Sequence, residues 1–189
     1  MDFTVLKTGV TVSPLFFAVL TAFLLLDKNG VAIWAVLFSL MHESGHFFAL
    51  LCVKSRPKHI KLSAFGIEMR LCNNLSTLKK VIVFSSGFVL NFIAAFLLFI
   101  FEKDFLSTVN IAIGVFTALP LASTDGGAVL SVLIEETFAE NAEKIIKITF
   151  AFFAVLIFAV LLILFGFSKN YFLLIAALYA VICLKKELC

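Results

Sequence analysis

From Val81 to Phe101 the chain carries no charged side chain. About 20 consecutive apolar residues are enough for a helix to cross the hydrocarbon core of a bilayer. Backbone groups in that core must be satisfied within the segment, so the run reads as a membrane-spanning helix. Similar runs recur along the chain. Residues 8–26, 148–168 and 170–184 hold no charge, residues 30–53 hold only Glu43 besides His42 and His46, and residues 106–134 hold only Asp125. The whole chain is 62% hydrophobic and 14% charged, against about half and about a quarter in a soluble domain. The sequence therefore predicts an all-α polytopic membrane protein, a single domain over residues 1–189 with six transmembrane helices. The first run ends in Asp27-Lys28 with no small-residue cleavage site, so it reads as a span and not a signal peptide.

Placing both termini in the cytoplasm puts 12 of the 15 basic residues on the inner side and leaves Lys28, Lys103 and Lys169 outside. The positive-inside rule favours that orientation. The net charge of +3 is accounted for by orientation and by contact with anionic lipid heads, without nucleic acid. The longest connection, residues 54–80, contains "HIKLSAFGIEMRL", where Ile60 and Leu62, then Ile67, Met69 and Leu71, alternate with polar residues on either side of Gly66. This predicts a small β-hairpin at the membrane surface. Cys52, Cys72, Cys183 and Cys189 form no C-x-x-C pair and read as structural.

An ionisable group in a spanning helix costs roughly 2.5–3.5 kcal/mol on insertion scales, so it points to function. In "LMHESGHFFALL", His42 and His46 are four residues apart. Both rings therefore leave one helical face a turn apart, a spacing that lets two imidazoles bind one metal ion. Glu43, next to the first histidine, can act on a metal-bound water as general base without being a ligand. Hydrolytic zinc takes three protein ligands and a water. Asp125 is the other intramembrane candidate.

Asp125 stands in "ALPLASTDGGAVL". Pro120 and the pair Gly126-Gly127 predict a broken fourth helix, with Ser123 or Thr124 as the cap of its second half. Counting back from Val53 and Ile134 along ideal helices places His46 at about 10 Å, His42 at about 16 Å and Asp125 at about 14 Å from the inner ends of their spans. All three reach one depth in the cytoplasmic half. Asn91, four residues after Gly87, reads either as an interhelical amide beside a small-residue contact or as a group that steadies a substrate carbonyl. His59 has no partner at ligand spacing and reads as a surface residue.

Together, His42-Glu43-Ser44-Gly45-His46, the Gly87…Asn91 spacing and Asp125-Gly126-Gly127 after Pro120 resemble the site-2 proteases, which are zinc intramembrane metalloproteases. The short form resembles the stage IV sporulation protein FB branch, here without CBS or PDZ domains. Departures are Phe88 after Gly87 and Ala122-Ser123-Thr124 before Asp125, and neither touches a ligand. The resemblance implies one Zn2+ per chain on His42, His46 and Asp125, with Glu43 as catalytic base. It implies cleavage in or near the membrane segment of a partner protein, with a product released to the cytoplasm. It further implies a bacterial cell membrane, inhibitory or regulatory membrane proteins as partners, and pro-sigma factor processing as a candidate role. Two rival classes are an intramembrane zinc or proton transporter and a catalytically silent scaffold. The first would need polar residues on both sides of the site, and the second would not need Glu43.

Overall fold

The computed structural model describes residues 2–5, 8–27, 29–63, 66–71 and 75–168. The elements are β1 (Asp2–Val5), β2 (Thr8–Val12), α1 (Pro14–Leu26), α2 (Val31–Cys52), β3 (Pro57–Ser63), β4 (Gly66–Leu71), α3 (Thr77–Ile100), α4 (Asp104–Ala118), α5 (Asp125–Thr137) and α6 (Ala142–Ser168). The chain divides into two compact units, Met1–Val115 and Phe116–Cys189.

Among the described residues, three helices are long and apolar enough to cross a membrane: Val31–Cys52, Thr77–Ile100 and the stretch Ala142–Ile163 of α6. Their outward faces are apolar: Phe48, Phe96 and Phe99 are each more than 60% exposed. Burial of small and polar residues beneath an apolar exterior is the arrangement of an integral membrane protein.

The spans expected from sequence are corrected in two places. Thr8–Val12, the start of the first, is strand β2, because Thr and Val are β-branched and Pro14 starts the helix behind it. Ser13 caps α1, its side chain accepting from the Leu15 N–H at 3.3 Å. The remaining 13-residue helix is about 20 Å long, short of the roughly 30 Å core. The fourth is broken as expected, into α4 and α5 parted by residues 119–124. The fifth starts earlier, at Ala142. The sixth, residues 170–184, lies outside the described residues, as do Cys72, Cys183 and Cys189. Cys52 is free and exposed.

In the first unit α2 packs chiefly on α3. Asp27 fixes where α2 begins. Its carboxylate accepts the Asn29 N–H at 3.0 Å and the Ala32 N–H at 2.7 Å, while Gly30 takes the left-handed conformation at φ 71°. β3 and β4 pair antiparallel with Ile60 opposite Met69 and Leu62 opposite Ile67. The hairpin does not stand alone, however. β1 and β2 form a second antiparallel pair, and β2 joins β3 in parallel, giving the order β1-β2-β3-β4. His59 is therefore half-buried in the sheet and shares a 3.0 Å hydrogen bond with the Thr11 hydroxyl. A side chain at Gly9 would meet its ring at 2.8 Å.

In the second unit α5 packs on α6, and an i,i+4 ion pair, Glu143–Lys147 at 2.9 Å, lies on the first turns of α6.

Candidate metal centre

The residues of α2 that are buried are Ala32, His42, Gly45, His46 and Leu50. Those of α3 are Val83, Gly87, Asn91 and Ala95, spaced by four along one stripe. The two stripes meet at glycine. A Cβ at Gly45 would come within 2.9 Å of the Ser86 carbonyl and 3.3 Å of the Gly87 Cα. Small residues let helix backbones approach this closely in a membrane.

That approach fixes the histidines. His46 Nδ1–H donates to the Val83 carbonyl at 2.7 Å. The Ser86 hydroxyl donates to the same carbonyl at 2.7 Å. With its proton on Nδ1, His46 presents a bare Nε2 lone pair, the tautomer that a metal ligand needs. The Nε2 atoms of His46 and His42 are 3.1 Å apart. Two nitrogens bound tetrahedrally to one zinc at about 2.0–2.1 Å would be about 3.3 Å apart, so the pair converges at ligand spacing. Both rings are buried. Gly87 forms the floor beneath them, since a Cβ there would lie 2.5 Å from each Nε2. Glu43, next to His42 in the chain, is half-buried.

The second unit holds the broken helix. Pro120 lies between α4 and α5, and Thr124 ties the break together. Its hydroxyl donates to the carbonyls of Leu119 and Leu121, the latter at 2.8 Å, and accepts the Leu121 and Gly127 N–H groups at 3.2 and 3.4 Å. Gly126 and Gly127 then lie so close to the carbonyls of Ala118 and Leu121 that a side chain at either would collide with backbone. Asp125 is consequently the first residue of α5 and half-buried. A carboxylate there is favoured by the positive end of the helix dipole.

His42 and His46 offer two imidazole nitrogens in the first unit and Asp125 a carboxylate in the second, and donors of these kinds suit zinc. Asn91 is one turn beyond Gly87, wholly buried, and neither amide atom has a hydrogen-bond partner among the described residues. Sequence reasoning named the histidines, Pro120 and the glycine pair, and offered Ser123 or Thr124 as the cap, of which the structure uses Thr124. It missed the Val83 carbonyl, Ser86 and Gly45. Only the H-E-S-G-H glycine, on the same face as His42 and His46, carried a signal for a close helix contact.

No protein-family model matches the chain, and no curated protein matches it in sequence. Among solved structures it is similar to the "Site-2 Protease from Methanocaldococcus jannaschii", with a TM-score of 0.70 and 17% identity, over 99% of this chain and 94% of that one. The likeness is one of fold.

Proposed function

We propose that the chain is a zinc-dependent intramembrane endopeptidase that hydrolyses a peptide bond in or near the membrane segment of a partner protein. The observation that carries this reading is the pair of buried Nε2 atoms 3.1 Å apart, with His46 held in the ligand tautomer by the Val83 carbonyl. The shared fold with a site-2 protease supports it.

In this reading His42, His46 and Asp125 hold one zinc ion per chain. When bound, zinc lowers the pKa of its water toward about 7 and polarises the scissile carbonyl. Glu43 accepts the proton of the attacking water and delivers it to the leaving amine. A helical substrate hides its amides, so it must unwind to be cut. The outer edge of β4, which pairs with no further strand among the described residues, is suited to receive an extended strand by backbone pairing. Asn91 steadies the substrate carbonyl once the substrate has opened a path to its buried amide. Placing both termini in the cytoplasm gathers 12 of the 15 basic residues on that side, which favours this orientation; the sheet then lies at the inner membrane surface, where the product is released. Sporulation, a pro-sigma factor substrate and regulatory membrane partners rest on the sequence resemblance alone.

The test is co-expression with candidate membrane substrates, comparing this chain with its Glu43→Gln form. Cleavage by the unaltered chain and none by the variant, with equal zinc in both, is the expected result. Equal cleavage by both would remove Glu43 as the base.

A further inference from the structure

The α3 stripe that floors the histidines continues into a polar contact with α4. The Ser107 hydroxyl donates to the Ala95 carbonyl at 2.8 Å. Further along, a Cβ at Gly114 would meet the Phe92 ring at 2.9 Å. As α4 advances from 107 to 114 its partner falls from 95 to 92, so the two helices run antiparallel. Asn91 is four residues before Ala95, about 6 Å back along α3, and Asn110 is three residues after Ser107, about 4.5 Å along α4. The two asparagines therefore stand at one level of the helix pair. Both are 0% exposed.

Their hydrogen bonding is incomplete in a specific way. Asn110 Nδ2 donates to the Leu106 carbonyl at 3.2 Å. Asn110 Oδ1, Asn91 Oδ1 and Asn91 Nδ2 have no partner among the described residues. A buried amide atom left unsatisfied costs roughly 1–3 kcal/mol, and groups of this kind in native proteins are usually met by ordered water. A direct amide–amide bond would use Asn91 Nδ2 and Asn110 Oδ1 and still leave Asn91 Oδ1 without a partner. One water molecule answers all three. It donates to both Oδ1 atoms and accepts from Asn91 Nδ2, and about three hydrogen bonds is the usual complement of a buried water.

We propose that Asn91 and Asn110 form a buried water-binding site between α3 and α4, one helical turn from the histidine pair. The residue between Asn91 and the histidines on this stripe is Gly87, which has no side chain to close the way. Under the hydrolase reading this water replenishes the one consumed at the histidines. The binding site does not depend on that reading. Its role as a supply does.

Synchrotron hydroxyl-radical labelling with mass spectrometry oxidises side chains beside bound water and tests the site on purified, full-length protein. In the unaltered chain, read at residue level, Leu90 and Val109, the aliphatic neighbours of the two asparagines that are not exposed, should be oxidised several-fold more than the buried apolar residues Val132 and Ile134. The near-isosteric double variant Asn91→Leu/Asn110→Leu should lose that excess. Labelling of the unaltered chain at the level of Val132 and Ile134 would overturn the site, and this arm decides even if the double variant does not fold. Excess labelling that persists in a folded double variant would overturn it too. For the supply role, Asn110→Leu should lower kcat about tenfold, the factor set by about 1.4 kcal/mol, with zinc content and KM unchanged. Unchanged kcat alongside lost labelling would overturn the supply role. Strong labelling in a chain that cleaves no membrane substrate would instead count against the protease reading and leave the water site standing.

Discussion

Replacing Gly87 by alanine should empty the metal centre while leaving the helices folded. The added methyl would lie 2.5 Å from His42 Nε2 and His46 Nε2 and 2.6 Å from His42 Cε1, against about 3.5 Å for a relaxed contact. The rings must therefore move by about 1 Å or the helices must part. His46 cannot simply swing aside, because its Nδ1–H is committed to the Val83 carbonyl at 2.7 Å. Metal–ligand distances tolerate only about 0.2 Å, so a ring shift of the required size breaks a zinc bond. Overpacking costs of about 1–3 kcal/mol would fall largely on zinc affinity, a loss of about 5- to 150-fold. Elemental analysis of detergent-purified protein, with competition against a chelator of known affinity, measures it. Gly45→Ala is the control. Its Cβ meets the Ser86 carbonyl at 2.9 Å and the Gly87 Cα at 3.3 Å but neither ring among its three nearest atoms, so it should lower the melting temperature and retain zinc per folded molecule. Unchanged zinc affinity in Gly87→Ala would refute the placement of α3 beneath the histidines.

Asp125→Ala should lose cleavage and weaken zinc binding together, measured on one preparation by turnover and metal content. Unchanged affinity would exclude Asp125 as the third ligand. Thr124→Val removes the hydroxyl that caps α5 and joins the break, and should cost about 1–2 kcal/mol, read as a lower thermal midpoint than that of the unaltered chain. Cysteine-accessibility labelling should find both termini reached only from the cytoplasmic side. Mass spectrometry of product ends should place the cut in the cytoplasmic half of the substrate segment, and a cut in the outer half would defeat the orientation.

The four-residue spacing of His42 and His46 needed no structure to interpret, because helical periodicity alone puts both rings on one face. The break around Pro120 was legible for the same kind of reason. Proline and a glycine pair act on the backbone locally, and a cap at Ser123 or Thr124 follows from chemistry within three residues, the choice of Thr124 being made by the fold. Uncharged runs likewise announced the membrane, although Thr8–Val12 was apolar enough to be absorbed into a helix that starts only at Pro14. What the sequence left open were pairings between distant residues. β2 joins β3 across about fifty residues, and nothing in "TGVTV" names its partner. That pairing withdraws His59 from the surface, because its neighbours belong to another part of the chain. The Val83 carbonyl orients His46 through a backbone atom that every residue but its geometry shares, so residue type carries no trace of it. Gly87 and Asn91 could be seen to lie on one stripe of α3, but that the first floors a histidine pair and the second stands level with Asn110 was decided by tertiary packing. Periodicity fixes the face a side chain takes on its own helix, while the face it meets depends on contacts that only the folded chain brings together.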